Sequence, residues 1–311
     1  MYASCLAAKE RSIFEEEKKM KTKLWVFAAA VLALLAGGIA HADNIYVSCY
    51  SGGVSWPKDG TIEKFDSSGN RSTFASGLYF NQGLRFDSSG NLYAAMFADG
   101  EIMKFDSSGN GAIVTSFGIW VSDLVFDSSG NLYAGSYGGG GIIHKVDSSG
   151  NVSTFASSLN SLWGIAIDSS GYLYGSDKEN GKIMKFDSSG NMSIFVSGLF
   201  SPEALAFDSD DNLYVASWYY GTIMKLDSSG NGSIFASGLG QTTGGLAFDN
   251  SGNLYAVNTN DGTILKFDSN GNRTIFASGL DHPISIAIIP EPATFLLLGL
   301  GGLALLRKRR A

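Results

Sequence analysis

Cysteine is nearly absent from this chain, at two residues in 311. Cys5 precedes an apolar leader and Cys49 stands alone behind it, so the part beyond residue 42 can close no disulfide on itself. Its stability must come from a packed core. Histidine is also scarce: beyond the leader only His144 and His282 remain. No zinc-ligand spacing, Ser/His/Asp arrangement or phosphate-cradling glycine loop stands out. Positive charge is thin. Residues 43–289 carry 12 Lys+Arg against 24 Asp+Glu, a net of −12, a surface that repels phosphate and excludes nucleic acid as a partner. Long apolar runs are missing too. The two longest, Leu24–Ala36 and Ala293–Leu306, fall short of the ~20 residues of a membrane-spanning helix.

What remains at the two ends reads as addresses. Met20-Lys-Thr-Lys23, the run Leu24–Ala36 and Ala40-His41-Ala42 form a basic region, an apolar region and a small-x-small cleavage site. This predicts a signal peptide cut before Asp43, with Met20 as the true start and Met1–Lys19 ahead of it; an uncut N-terminal anchor is the alternative. At the other end Pro290-Glu291-Pro292 precedes the fourteen uncharged residues Ala293–Leu306 and the cluster Arg307-Lys308-Arg309-Arg310. A fourteen-residue helix reaches only ~21 Å, and the basic cluster would hold the cytoplasmic side. This order of parts resembles the PEP-CTERM sorting signal of Gram-negative bacteria. The resemblance implies an exosortase-type processing enzyme as partner and transient membrane anchoring. It also implies a final place at the cell surface or in an extracellular polysaccharide matrix. A plain C-terminal anchor gives nearly the same localisation. The expected division is a leader at 1–42, a body at 43–289 and a sorting signal at 290–311.

The body is repetitive. DSSGN recurs verbatim at Asp66, Asp87, Asp106, Asp127, Asp147, Asp187 and Asp227, with near-copies at Asp168, Asp208, Asp249 and Asp268. Each copy sits between two short β-like runs. An Asp that accepts backbone hydrogen bonds, two serines and a glycine free to take φ > 0 suit a tight hairpin turn. A calcium loop needs several carboxylates, and most copies have one; only Asp208-Ser-Asp-Asp211 is richer. The larger unit starts at Asn44, Asn91, Asn131, Tyr172, Asn212 and Asn253, a period near 40 residues with four strands per unit. That predicts an all-β, six-bladed β-propeller of four-stranded antiparallel blades. Six such blades need twelve hairpins and eleven are present. The missing one falls where the body opens on NIYVS and closes on PISIAII, so the N-terminal and C-terminal strands should pair and share a blade.

The innermost strands read GLRF, DLVF, GIAI, ALAF, GLAF and SIAI, large residues alternating with small ones. Arg85 and Asp123 interrupt the small column in neighbouring repeats; they either pair across the channel or are separately solvated. The whole pattern resembles the NHL-type propellers and their gluconolactonase-like and virginiamycin B lyase-like relatives. That fold hosts enzymes and binding platforms alike.

With the turns gathered on one face, the variable loops gather on the other. They carry Trp56, Trp120, Trp163, Trp218, Tyr219 and Tyr220, along with Tyr79, Phe80, Phe97, Tyr137 and Phe200. The expectation is a binding or scaffold module for a glycan, peptide or small ligand, with an extracellular polysaccharide or surface protein as partner; the aromatics otherwise cap the blade cores. The alternative is a metal-dependent hydrolase or lyase. The lactonase-like resemblance implies channel ligands, for which Asp123, Asp177, Glu203 and Asn258 are the candidates, holding Ca2+ or Mg2+. His144 reads as a packing variant, and His282 beside Asp281 as a conceivable base.

Overall fold

The computed structural model describes residues 43–50, 59–66, 68–137, 140–240 and 243–290. The expected signal peptide, Trp56, and the sorting residues Glu291, Pro292 and Arg307 to Arg310 lie outside the described residues.

Within them the chain is all strand and turn. The first blade holds β1 (Asp43–Cys49), β2 (Gly60–Phe65) and β3 (Arg71–Leu78). The second holds β4 (Asn81–Phe86), β5 (Leu92–Met96), β6 (Glu101–Phe105) and β7 (Gly111–Ser116). The third holds β8 (Val121–Phe126), β9 (Leu132–Ser136), β10 (Ile143–Val146) and β11 (Val152–Ala156). The fourth holds β12 (Leu162–Ile167), β13 (Leu173–Asp177), β14 (Lys182–Phe186) and β15 (Met192–Ser197). The fifth holds β16 (Pro202–Phe207), β17 (Leu213–Ser217), β18 (Thr222–Leu226) and β19 (Gly232–Ala236). The sixth holds β20 (Thr243–Phe248), β21 (Leu254–Asn258), β22 (Thr263–Phe267) and β23 (Arg273–Ala277). The last strand, β24 (Pro283–Pro290), returns to the first blade.

There it pairs antiparallel with β1 from Asp43↔Pro290 to Cys49↔Pro283, giving the order β24-β1-β2-β3. This is the closure read from the missing hairpin, and it covers the edge that β1 would otherwise expose. The inner strands β24, β4, β8, β12, β16 and β20 adjoin in that cyclic order, so the six sheets form a ring.

The recurring phrases have physical reasons. In the first turn the Ser68 and Asn70 amides donate to Asp66 Oδ1 at 2.9 Å, and the Asn70 side chain donates to Oδ2 at 2.9 Å. The Gly69 amide donates to the Asp66 carbonyl at 2.9 Å with φ at 80°, a backbone that glycine adopts freely. The asparagine amide pulls the Asp66 carboxyl below its usual range. The acid-rich copy is also a turn. Asp211 takes the glycine's place at φ 58°, and its carboxylate accepts the amide and hydroxyl of Ser169.

The Tyr of each NLY phrase fills the seam between blades. Tyr214, for example, packs edge-on against Phe235 of its own blade and Phe248 of the next, each at 5.0 Å. The Lys of KFD or KLD crosses that ring, with Lys225 Nζ 5.2 Å from its centroid and 3.1 Å from Asp208 of the inner hairpin. On the inner strands Leu84, Leu124, Ile165, Leu205, Leu246 and Ile286 point into the core and are buried.

Candidate binding site at the channel mouth

The site starts from a break in the inner strands. Near its start, each inner strand shifts register against its neighbour, as between Leu162 and Ile165 on β12 or Pro202 and Leu205 on β16. The irregular residues face the axis. Gln82, Ser122, Trp163, Glu203, Gly244 and Ile284, one per blade, line a cavity of about 200 Å3. Beneath them Gly83, Asp123, Gly164, Ala204, Gly245 and Ser285 form a second, mostly small ring. The antiparallel order puts both hairpins of a blade at one end of the channel, leaving this mouth to the variable loops.

The residue immediately after the second strand completes the mouth. In register these are Tyr50, Phe97, Tyr137, Lys178, Trp218 and Thr259. Tyr50, Lys178, Trp218 and Thr259 line the cavity, and Phe97 and Tyr137 back it. Aromatic contacts run unbroken along one side. Tyr50 meets Phe80 at 4.7 Å, Phe80 meets Phe97 at 5.4 Å, and Phe97 stacks on Trp120 at 5.5 Å and on Trp163 at 6.2 Å.

Two ion pairs occupy the cavity wall. Lys178 Nζ contacts Glu203 Oε1 at 2.5 Å and sits between two indoles, 4.4 Å from the Trp163 ring and 4.5 Å from the Trp218 ring. A cation held against ring faces in a partly dry site is favourable. Burial pushes the Glu203 carboxyl up to about 7, against the opposing pull of Lys178. Deeper in, Arg85 pairs with Asp123 at 3.1 Å, settling the choice between pairing and separate solvation. Asp123 also accepts the Leu124 and Ile165 amides, and burial raises its carboxyl despite Arg85.

The sequence-derived candidates divide accordingly. Trp163 and Trp218 enter the cavity, and Trp120 extends the aromatic row beside it. Tyr219 and Tyr220 stand outward on the rim, at 66% and 60% exposure. Of the proposed metal ligands, Asp123 and Glu203 line the cavity while Asp177 and Asn258 do not. Asp177 holds the Asn180 amide at 3.0 Å; Asn258 donates to the Leu239 carbonyl at 2.6 Å and to Asp261 at 2.8 Å. Both cavity acids already hold a protein cation, and the described residues contain no group of three His, Cys, Asp or Glu placed for a metal. These donors therefore do not fit a channel Ca2+ or Mg2+. His144 stacks flat on Phe117 at 4.2 Å inside the sheets, and His282 binds Asp281 at 2.8 Å outside the cavity lining. Lys178, Gln82 and Thr259 were not among the candidates. Aligning the first residue after each NLY strand would have shown Lys178 and Thr259 to be outliers in an aromatic column.

Residues 289–310 match the family model of the PEP-CTERM protein-sorting motif. The chain carries a PEP-CTERM sorting signal. That signal marks an exported, sorted protein, and the match begins within β24, so signal and ring adjoin directly. No curated protein matches the chain. Among solved structures it is similar to a chain of a nidogen/laminin complex, with TM-score 0.69 and 17% identity over 79% of this chain and 98% of that one. It is also similar to virginiamycin B lyase from Staphylococcus aureus, with TM-score 0.55 and 15% identity over 66% and 73%. A streptogramin B lyase gives TM-score 0.55 and 15% identity over 75% and 72%. At these identities the likeness is one of fold.

Proposed function

We propose that this protein is an exported, surface-sorted propeller that binds a glycan at its channel mouth once an exosortase-type enzyme has processed its tail. The observation that carries the reading is the cavity wall. Trp163, Trp218, Tyr50 and Phe80 line a space whose wall also holds hydrogen-bonding groups. Sugar rings offer the same combination, with apolar C–H faces and hydroxyl edges. Sorting to the cell surface would place the site among extracellular polysaccharides.

The test is a glycan array read with the exported protein, followed by calorimetry on any hit. Trp218→Ala should lose binding while melting as a folded protein. A folded protein that binds no glycan, or a Trp218→Ala variant that binds as well as the parent, sinks the reading. Binding confined to peptides would replace it with the peptide-module alternative.

A metal-dependent hydrolase or lyase would need free channel acids, and Asp123 and Glu203 are both committed to cations. What favours any catalytic reading is Glu203 alone. A carboxyl titrating at about 7 suits proton transfer near neutral pH. Turnover of a bound glycan that disappears in Glu203→Gln would establish it.

A further inference from the structure

The last inner strand shows where the sorting signal leaves the ring. β24 runs along the channel from Pro283, opposite Cys49, to Pro290, opposite Asp43. Its far end stands level with the inner turns. Ile289 pairs with Asn44 where, in the second blade, the Asp87 amide donates to the Asn91 carbonyl at 3.0 Å. Asp43 joins that level directly. Its carboxylate accepts the Asn250 side-chain amide at 3.0 Å and the Asn250 backbone amide at 3.3 Å, and Asn250 belongs to the inner turn of the sixth blade. Ile284, in the cavity lining, stands six residues before Pro290, which is about 20 Å at ~3.4 Å per residue. The chain therefore leaves from the base of the ring, at the opposite end from the mouth.

The connection beyond that point is short. In the sequence only Glu291 and Pro292 separate Pro290 from the uncharged run Ala293–Leu306, and the sorting-motif match covers 289–310. Two residues reach at most ~7 Å. A bilayer that holds the apolar run therefore holds the base of the ring within that distance. Because β24 is an inner strand, the hold lies near the axis rather than at the edge. Outward from it β1, β2 and β3 extend the blade by three strand spacings, ~14 Å at ~4.8 Å each. Leaning by more than ~30° on so short a tether would drive that rim into the lipid.

The base itself has little to offer a membrane. Asp87, Asp168, Asp208 and Asp249 of the inner turns each hold a lysine between 3.1 and 3.7 Å, so these lysines are not free for anionic headgroups. The turn tips are small and polar, as at Ser88, Ser89, Ser128 and Ser129, all exposed. Among the described residues one exposed large apolar side chain, Tyr172, lies on an inner turn, too little to seat the ring in the lipid interface.

We propose that the base of the ring lies against the lipid bilayer that takes the tail, held there by the short tether alone, and that the channel mouth opens about 20 Å away at the opposite end. Whatever the mouth meets then comes from beyond the cell surface and not from the headgroups beneath the ring. This placement does not depend on what the mouth binds, so it stands or falls separately from the glycan reading.

For the test, the exported chain with its tail is reconstituted into phosphatidylethanolamine–phosphatidylglycerol vesicles. Their headgroups carry a nitroxide, which quenches fluorescence only at close range. A fluorophore is attached at Ser88→Cys on an inner turn or at Asp99→Cys on a mouth loop, both exposed positions. Cys49 is buried and should stay unlabelled, and melts verify folding. Fluorescence should be lost at Ser88→Cys and kept at Asp99→Cys. Inserting about twelve Gly/Ser residues after Pro290, with a mean reach of ~20 Å, should relieve the loss at Ser88→Cys while the vesicles still retain the protein. Equal quenching at both positions, or quenching at Asp99→Cys alone, overturns the placement. Quenching at neither position in retained protein overturns contact with the lipid, and protein that the vesicles do not retain overturns the bilayer as partner. A contrast that survives the insertion unchanged overturns the tether as its cause.

Discussion

Replacing Gly164 by alanine tests the crowding that shapes the cavity. Gly164 lies at the irregular point of β12, and a Cβ placed there would stand 2.1 Å from the Glu203 carbonyl oxygen and 3.2 Å from its carbon. A carbon and a carbonyl oxygen in contact normally stay ~3.3 Å or more apart, so the overlap exceeds ~1 Å. The obstacle is backbone. The same carbonyl also accepts the Ser176 hydroxyl at 2.7 Å, which ties β16 to the fourth blade beside Gly164. Relief requires moving the fourth blade against the fifth. Overpacking usually costs ~1–3 kcal/mol, and an obstacle that cannot rotate away belongs at the upper end, ~3 kcal/mol. For a domain of this size each kcal/mol lowers Tm by ~2–4 °C, so scanning calorimetry should show a fall of ~6–12 °C. Gly150→Ala is the control. Nothing lies within 4 Å of its added Cβ, but φ is +86°, so only backbone strain of ~1–2 kcal/mol applies. Because Glu203 moves in the first variant alone, the proposed glycan binding should weaken in Gly164→Ala and hold in Gly150→Ala. A Gly164→Ala protein melting within ~2 °C of the parent would refute the reasoning.

Four further outcomes are expected. The turn carboxyls of Asp66, Asp106, Asp147, Asp187, Asp227 and Asp268 are depressed, chiefly by their asparagine partners. Their stabilisation is in place above ~pH 4 and is lost as pH falls through the lowered values, so Tm should decline steeply on acidification; a flat Tm from ~pH 5 to 2 contradicts this. Glu203 acts in the opposite sense, because its pKa rises from 4.5 to about 7 on folding. Between those values the folded state holds the extra proton, so Glu203→Gln should gain stability relative to the parent as pH rises from ~4.5 to ~7 and level off above; a pH-independent difference rejects the assignment. Chelation, or addition of Ca2+ or Mg2+, should leave the melt unmoved, since both cavity acids already hold cations; a shift of several degrees would revive the channel-metal reading. Deleting β24 should expose the β1 edge and yield an aggregating or unfolded product by light scattering, whereas a stable monomer would show that the closure is dispensable.

Much of this protein could be read in one dimension. The sorting signal at the C-terminal end is a local motif. The turn chemistry of DSSGN is contained within five residues, and Asp66 with Asn70 satisfies it without help from the rest of the chain. Blade number follows from the repeat period, and ring closure from a missing hairpin, because every repeat obeys the same pairing rule. Even the Arg85–Asp123 pair was visible as two exceptions in one aligned column.

The candidate site was legible only in part, for a physical reason. Its residues come two to four from each blade, in groups roughly forty positions apart in the chain, and they meet only because the ring closes. The register shifts that turn Gln82, Trp163 and Glu203 toward the axis arise where six strands crowd together, a condition no single repeat contains. Sequence placed Trp120, Trp163 and Trp218 on the loop face but did not separate Trp163 and Trp218 in the cavity from Tyr219 and Tyr220 on the rim. It offered Glu203 as a free acid where the tertiary structure supplies Lys178 beside it. Repeat, turn and address are local, and the sequence by itself determined them. The composition and charge state of the cavity depend on which side chains the closed ring brings within contact, and only the tertiary structure decided that.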